Sequence, residues 1–248
     1  MKKIFSLLLS IAIASSLWVK GQVPKTEILS EKEVTKIFTA ALKKETGLQY
    51  PIFRVYRYSD KTGLYYTALT ESRDSIGKQR VRLPADTIHF KKNPASDTFN
   101  YKIQAITIKN DNGRFVKYWE FNDFIDKTKM IEKTMTFWTK YAGFNDLSND
   151  GVIDPLLVYG TIGMNHFEDG RVMIVIYHNG KKIYLRQQNA ILDANRKLQI
   201  DKEFYSLPQS IQNAVKAKME LISSNGNAVF PDDWQKAMIN KQVMVTEQ

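Results

Sequence analysis

The chain of 248 residues contains no cysteine. It therefore forms no disulfide and offers no thiolate to a metal, which excludes cysteine-rich structural zinc sites. Its three histidines, His89, His166 and His178, do not have the spacing of a helical zinc-protease motif. The nucleophile elbow of α/β-hydrolases and a glycine-rich phosphate loop are also missing. The sequence thus carries no recognisable catalytic motif, and whether the protein is an enzyme stays open.

Long apolar runs are equally scarce, and the one that occurs lies at the N-terminus. Lys2 and Lys3 precede an apolar stretch over residues 4–19, and Gly21 follows it. A basic start, a short apolar core and a small-residue exit are typical of a secretory signal peptide. The stretch is shorter than the ~20 residues that a spanning helix needs. We predict a signal peptide over residues 1–21, with a membrane anchor as the alternative.

This prediction fixes the expected location. The mature chain has no membrane span, and it is exported to the periplasm, the cell surface or the extracellular space. The formal net charge of +10 favours polyanionic partners in general. The lysines are scattered in short pairs, however, and nucleic-acid binding needs basic residues interleaved with exposed aromatics on one face. We therefore expect no nucleic-acid partner, and a basic binding module for acidic polysaccharide remains an alternative.

Hydrophobic periodicity predicts a helix followed by many strands. Ser30 begins a capping box before an apolar helical stripe, which Gly47 ends. Segments rich in aromatic and β-branched residues then predict strands, and Asn-Gly hairpin turns join two pairs of them. The predicted strands are 52–58, 64–70, 101–109, 114–121, 133–141, 156–161, 171–177 and 182–186.

The C-terminal part reads as helical again. One helix is predicted from about Pro208 to Gly226 and a shorter one over residues 232–240. No internal repeat or composition break demands a domain boundary. We predict a single α+β domain over residues 22–248, with a predominantly antiparallel β-sheet, an N-terminal helix and C-terminal helices.

The most specific pattern is the acidic segment 146–154, Asp-Leu-Ser-Asn-Asp-Gly-Val-Ile-Asp. Oxygen-bearing groups occupy alternate positions around a glycine, which is the spacing that a calcium loop uses. The predicted metal ligands are Asp146, Ser148, Asp150, the Val152 carbonyl and Asp154. We expect calcium as the cofactor, at an affinity as weak as ~10⁻⁴–10⁻³ M, the range of extracellular modules.

The loop departs from an EF-hand in two ways. Leu157 stands at position twelve, where an EF-hand has a bidentate glutamate, and Pro155 follows the loop directly. The segment better resembles the calcium loops that join two β-strands in integrin-type and related exported proteins. Water, Glu168 or Asp169 would complete the coordination. The alternative is an ordinary polar hairpin turn, since Asn, Asp, Ser and Gly are common turn residues.

A glycan-acting hydrolase is a further alternative, because it needs only two suitably placed carboxylates. Trp119, Trp138 and Trp234 could stack on sugar rings. Two of them lie in predicted strands and the third lies at an amphipathic helix end, so core packing is the favoured interpretation.

A set of short motifs resembles a family of exported proteins from the Bacteroidota that is labelled as surface polysaccharide biosynthesis proteins. The resemblance runs from about Tyr56 to the C-terminus. It is carried by Phe137-Trp138-Thr139-Lys140-Tyr141, Asp146 to Pro155, Val158-Tyr159-Gly160-Thr161, Asp169-Gly170-Arg171-Val172, Phe204-Tyr205-Ser206-Leu207-Pro208, Phe230-Pro231 and Trp234-Gln235. The resemblance implies a link to cell-surface glycans and supplies no catalytic residues. We therefore expect an exported, non-enzymatic protein that supports assembly or recognition of surface polysaccharide.

Overall fold

The computed structural model describes residues 25–75, 98–128, 132–163 and 165–247. The predicted signal peptide lies outside the described residues. Within them, most strands belong to two antiparallel sheets. Two helices precede the first sheet's main hairpins, and two lie between the last two strands of the second sheet. The predicted α+β class with predominantly antiparallel sheet is confirmed.

The first sheet contains those strands of the described residues that precede residue 125, apart from one short ladder. Its five strands are β1 (Lys25–Ile28), β2 (Ile52–Asp60), β3 (Gly63–Glu71), β6 (Lys102–Asp111) and β7 (Arg114–Phe124). They pair in the order β1-β2-β3-β6-β7. The short ladder joins β4 (Asp74–Ser75) to β5 (Thr98–Phe99).

The second sheet contains the later strands. They are β8 (Glu132–Phe137), β9 (Gly143–Asn145), β10 (Asp154–Gly163), β11 (Arg171–His178), β12 (Lys181–Gln188), β13 (Lys197–Ile200) and β14 (Met244–Thr246). The order is β14-β13-β12-β11-β10-β8, and β9 also pairs with β10. The predicted strand 133–141 is too long at its end, because the chain turns after Phe137 and the Tyr141 amide donates to the Trp138 carbonyl.

Four α-helices lie in the described residues. They are α1 (Glu31–Ile37), α2 (Ala40–Thr46), α3 (Gln209–Ser224) and α4 (Trp234–Ile239), with single 3₁₀ turns at Phe167–Asp169, Asp193–Asn195 and Lys202–Ser206. The Ser30 capping box is present. The predicted single N-terminal helix is wrong in one respect: Phe38 leaves the helix, and Thr39 caps a second one. None of the described helices is both long and apolar enough to span a membrane.

The elements stack as four layers around three apolar clusters. Alternate residues of β10 point to different clusters: Leu157 and Tyr159 pack between the two sheets, whereas Leu156 and Val158 pack against α3 and α4. Helices α1 and α2 cover the outer face of the first sheet. Because the second sheet is buried on both faces, its central strands β10 and β11 are nearly continuous apolar runs. The three tryptophans expected in the core are all buried; they are Trp119, Trp138 and Trp234.

Gly160 in β10 allows the closest contact inside the second sheet. A Cβ atom at this position would lie 2.7 Å from the Arg171 carbonyl oxygen and closer still to the Trp138 ring. Gly160→Ala should therefore lower the free energy of unfolding by about 1–3 kcal/mol, measured by urea denaturation. Gly143→Ala is the matched control, because its Cβ would meet only the end of the Asn145 side chain at 3.3 Å. Equal stability of the two variants would contradict this packing.

Candidate functional site

The acidic segment forms the hairpin loop between β9 and β10. Asn145 pairs with Asp154 across its base. Asn149 and Gly151 take positive φ values of 59° and 81°, a region that asparagine and glycine tolerate best. The residue types that predicted a tight polar loop therefore occupy the positions where the backbone requires them.

Asp154 is the buried anchor of this loop, with 1% of its surface exposed. One carboxylate oxygen accepts the backbone N–H groups of Leu147 and Ser148 at 3.0 and 3.1 Å. The other oxygen pairs with Nδ1 of His178 at 2.6 Å, at the end of β11. A buried carboxylate is costly unless donors surround it, and here the loop's own amides and a histidine supply them.

Asp146 and Asp150 also accept hydrogen bonds from the loop backbone. The Asp146 carboxylate receives the N–H groups of Asp150 and Gly151 at 3.1 and 2.8 Å. The Asp150 carboxylate receives the Val152 N–H at 2.8 Å. These bonds satisfy amides that the tight turn would otherwise leave without partners.

The β2–β3 turn forms hydrogen bonds to the same loop. Asp60 accepts the Ile153 N–H at 3.0 Å with one oxygen and the Thr62 N–H at 2.7 Å with the other. The backbone N–H of Lys61 donates to the Gly151 carbonyl at 3.1 Å, and its ammonium donates to the Asp150 carbonyl. Together with the His178 contact, these bonds join three turns, β2–β3, β9–β10 and β11–β12, that come from both sheets.

The fit of this loop to calcium is incomplete as it stands. Ser148 Oγ lies between Asp146 and Asp154, at 3.5 and 3.2 Å, but no three acidic or histidine side chains converge on one point anywhere in the described ranges. Asp169, one of the expected additional ligands, binds Asn165 near the opposite end of β10. Calcium binding at the loop therefore stays a prediction.

A cleft opens directly beside the three joined turns. Its volume is about 200 Å³. Residues of both sheets and of all three turns line it: Tyr58, Asp60, Thr62, Tyr65, Tyr118, Val152, Ile153, Tyr177, Asn179 and Gly180. We call this feature the tyrosine cleft. It combines aromatic faces with a few polar groups, which is the usual composition of a small-ligand site.

Three tyrosines form one wall of the tyrosine cleft. The rings of Tyr65 and Tyr118 lie 5.0 Å apart between centroids, and those of Tyr118 and Tyr177 lie 5.6 Å apart. Tyr118 remains 44% exposed. Burial raises the pKa of all three phenols, so they stay protonated and keep their hydrogen-bonding hydroxyl groups at neutral pH.

The sequence-based prediction missed these tyrosines. Tyr65, Tyr118 and Tyr177 lie on three different strands, two of them within two residues of a hairpin turn. Aromatic residues next to turns were the available signal. It identifies a site only once the sheet pairing brings the separate turns together.

A second charged cluster joins the two sheets at a position remote from the cleft. Arg171 pairs with Glu132 at 2.7 Å and with Asp123 at 3.2 Å. Tyr159 donates to Asp123 at 2.9 Å, and Thr161 donates to Glu132 at 2.6 Å. Asp123 and Glu132 are thus a carboxylate pair held by one shared arginine and two hydroxyls, an arrangement that suits structural support better than proton transfer.

Comparison with known proteins adds no assignment: no family model, curated protein or solved structure matches the chain. The resemblance to surface polysaccharide proteins accordingly stays a prediction.

The Asp154 anchor should dominate the stability of the loop. Asp154→Asn replaces one acceptor oxygen with a donor that faces either His178 or the loop amides, so the free energy of unfolding should fall by about 1–3 kcal/mol. Asp150→Asn is the control, because Asp150 is exposed and its side chain accepts one backbone N–H; a change within about 0.5 kcal/mol is expected there. Urea denaturation in EDTA measures both variants without bound ions. An Asp150 effect as large as that of Asp154 would contradict the assignment.

Proposed function

We propose that this protein is an exported, non-enzymatic glycan-binding protein that supports the assembly or recognition of surface polysaccharide, and that the tyrosine cleft holds the sugar. The single observation that carries the proposal is the cleft itself. It presents tyrosine rings and hydroxyl groups on a surface that three interlocked turns hold in place.

The chemistry of the cleft suits a sugar ring. A sugar has apolar C–H faces and a rim of hydroxyls, so it needs aromatic surface together with hydrogen-bonding groups. Tyr118 offers exposed ring surface, while Asn179 and Thr62 place amide and hydroxyl groups nearby. Tyrosine supplies both kinds of contact at low entropic cost, since it has only two side-chain torsions.

The charge of the chain favours an acidic glycan over a neutral one. The formal net charge is +10 for the whole sequence and +7 for residues 22–248, because residues 1–21 carry three lysines and no acidic residue. The Lys109 Nζ atom lies 5.7 Å from the Tyr65 ring centroid, beside the cleft. Long-range attraction of this kind raises the association rate and weakens with salt. An acidic polysaccharide is therefore the preferred ligand in this proposal.

A binding role is favoured over hydrolysis because of how the carboxylate of Asp60 is used. Asp60 accepts N–H or O–H groups on both of its oxygens and is 3% exposed. The carboxylate pair Asp123 and Glu132 is bound by Arg171, which forms an ion pair with each of them. A glycosidase needs one carboxyl group free to give a proton and another facing the sugar.

Calcium at the acidic loop is the second part of the proposal. The loop already has the turn that calcium loops use, with Gly151 at the required positive φ. Each carboxylate has about four lone-pair positions, so the N–H bonds of Asp146 leave room for a cation. Binding requires the carboxylates of Asp146, Asp150 and Asp154 to move closer together, because no three such groups converge in the described residues.

Removing the exposed ring should weaken glycan binding. We expect Tyr118→Ala to lower the affinity of purified residues 22–248 for an acidic polysaccharide about two- to tenfold, from the ~0.5–1.5 kcal/mol that a stacked aromatic contributes. Affinity electrophoresis against acidic and neutral polysaccharides measures the effect. Phe124→Ala is the control, because Phe124 is 64% exposed and does not line the cleft. Equal retardation of both variants, or none for the unmodified protein, would refute the glycan site.

Calcium should raise the melting temperature of the protein. With a dissociation constant of ~10⁻⁴–10⁻³ M, 10 mM calcium stabilises the folded state by about 1.4–2.7 kcal/mol, or several degrees. Asp146→Asn should remove the rise, and magnesium at the same concentration should give a smaller one. A melting temperature that calcium leaves unchanged in the unmodified protein would end the calcium part and leave the glycan part standing.

A further inference from the structure

A second concave surface lies on the other side of the second sheet. It is a groove of about 260 Å³ between α3 and the β9–β10 hairpin, which we call the α3 groove. Gly143, Leu147 and Leu156 form one wall. Its volume is just below the roughly 300–1,000 Å³ of typical ligand pockets. Its lining is apolar except for Asn145 and Lys218, so the α3 groove suits an apolar chain.

Helix α3 supplies the opposite wall with a stripe of its own. The core stripe of α3 consists of Ile211, Val215, Met219 and Ile222, all of them buried. A neighbouring stripe of Ala214, Ala217, Lys218 and Leu221 has the spacing of one helix face and lines the groove instead. Two alanines keep the groove open, and Leu221 stays 45% exposed at its end. This second face of α3 is therefore available for contact with a ligand, because the core is already filled by the first stripe.

Lys218 gives the groove its charge. No carboxylate among the described residues pairs with its ammonium, and burial lowers the pKa of this ammonium. A partly desolvated cation without a counter-charge is unfavourable, and a bound anion would relieve this cost. We therefore expect a ligand of this groove to carry a negatively charged group at the end of its apolar chain, next to Lys218.

We propose that the α3 groove binds an anionic amphiphile, with the apolar chain between Leu147, Ala217 and Leu221 and the headgroup, a carboxylate or phosphate, on the Lys218 ammonium. This site is separate from the tyrosine cleft. It gives the protein a way to bind a single acyl or lipid chain.

Calorimetric titration of residues 22–248 with ten-carbon amphiphiles, each below its micelle concentration or, for the alcohol, its solubility limit, tests the proposal. Decanoate and decyl phosphate should bind saturably at one site, and decanol and decyltrimethylammonium at least about tenfold more weakly, as expected for loss of a charged contact. If only one of the two anions binds, that result identifies the headgroup. Absence of saturable binding by both anions, or equal binding of all four compounds, would overturn the proposal.

Two variants and a control assign the binding to the groove. Lys218→Met should remove the preference for anions, whereas Lys216→Met, which lies on α3 outside the groove, should retain it. Ala217→Trp should fill the groove and abolish binding, and its melting temperature reports whether it folds. Anion binding that survives both Lys218→Met and Ala217→Trp would overturn the proposal. A concentration-dependent dimer that Ala217→Trp dissociates in size-exclusion chromatography would also overturn it, because a second copy would then cover the groove.

Discussion

The buried carboxylate of Asp154 holds the candidate site together. One of its oxygens gathers the amides of the acidic loop, and the other reaches His178 on the neighbouring hairpin. Such a charge is tolerated in the interior only when donors surround it. The loop and the β11–β12 turn therefore keep a fixed relative position, which also fixes the shape of the tyrosine cleft beside them.

Local signals in the sequence predict much of the fold. Asn112-Gly113 and Asn179-Gly180 predict hairpins because their turns need positive φ at both central positions, and both pairs have it. The capping residue Ser30 likewise predicts the start of α1. These elements depend on neighbours along the chain, so a single sequence is enough to find them.

The errors occur where distant contacts overrule local patterns. The alternation that predicts a strand to Tyr141 stops at Phe137, because the chain turns there and seats the Trp138 ring against Gly160. The pairing of Leu198 with Val245 creates the short strands β13 and β14 from segments far apart in sequence. For the same reason the acidic loop was recognisable from its spacing, whereas the tyrosine cleft was not: its walls come from separate strands.

The linking of the three turns has a consequence for molecular recognition. A binding surface built on independent loops loses conformational freedom when its ligand arrives, and that loss weakens the complex. Here the segments beside the cleft constrain one another through hydrogen bonds between Asp60 and Ile153, Asp154 and His178, and Lys61 and Gly151. Selectivity would then arise because a preorganised surface excludes molecules whose shape does not match it, rather than because a flexible surface adapts to each ligand.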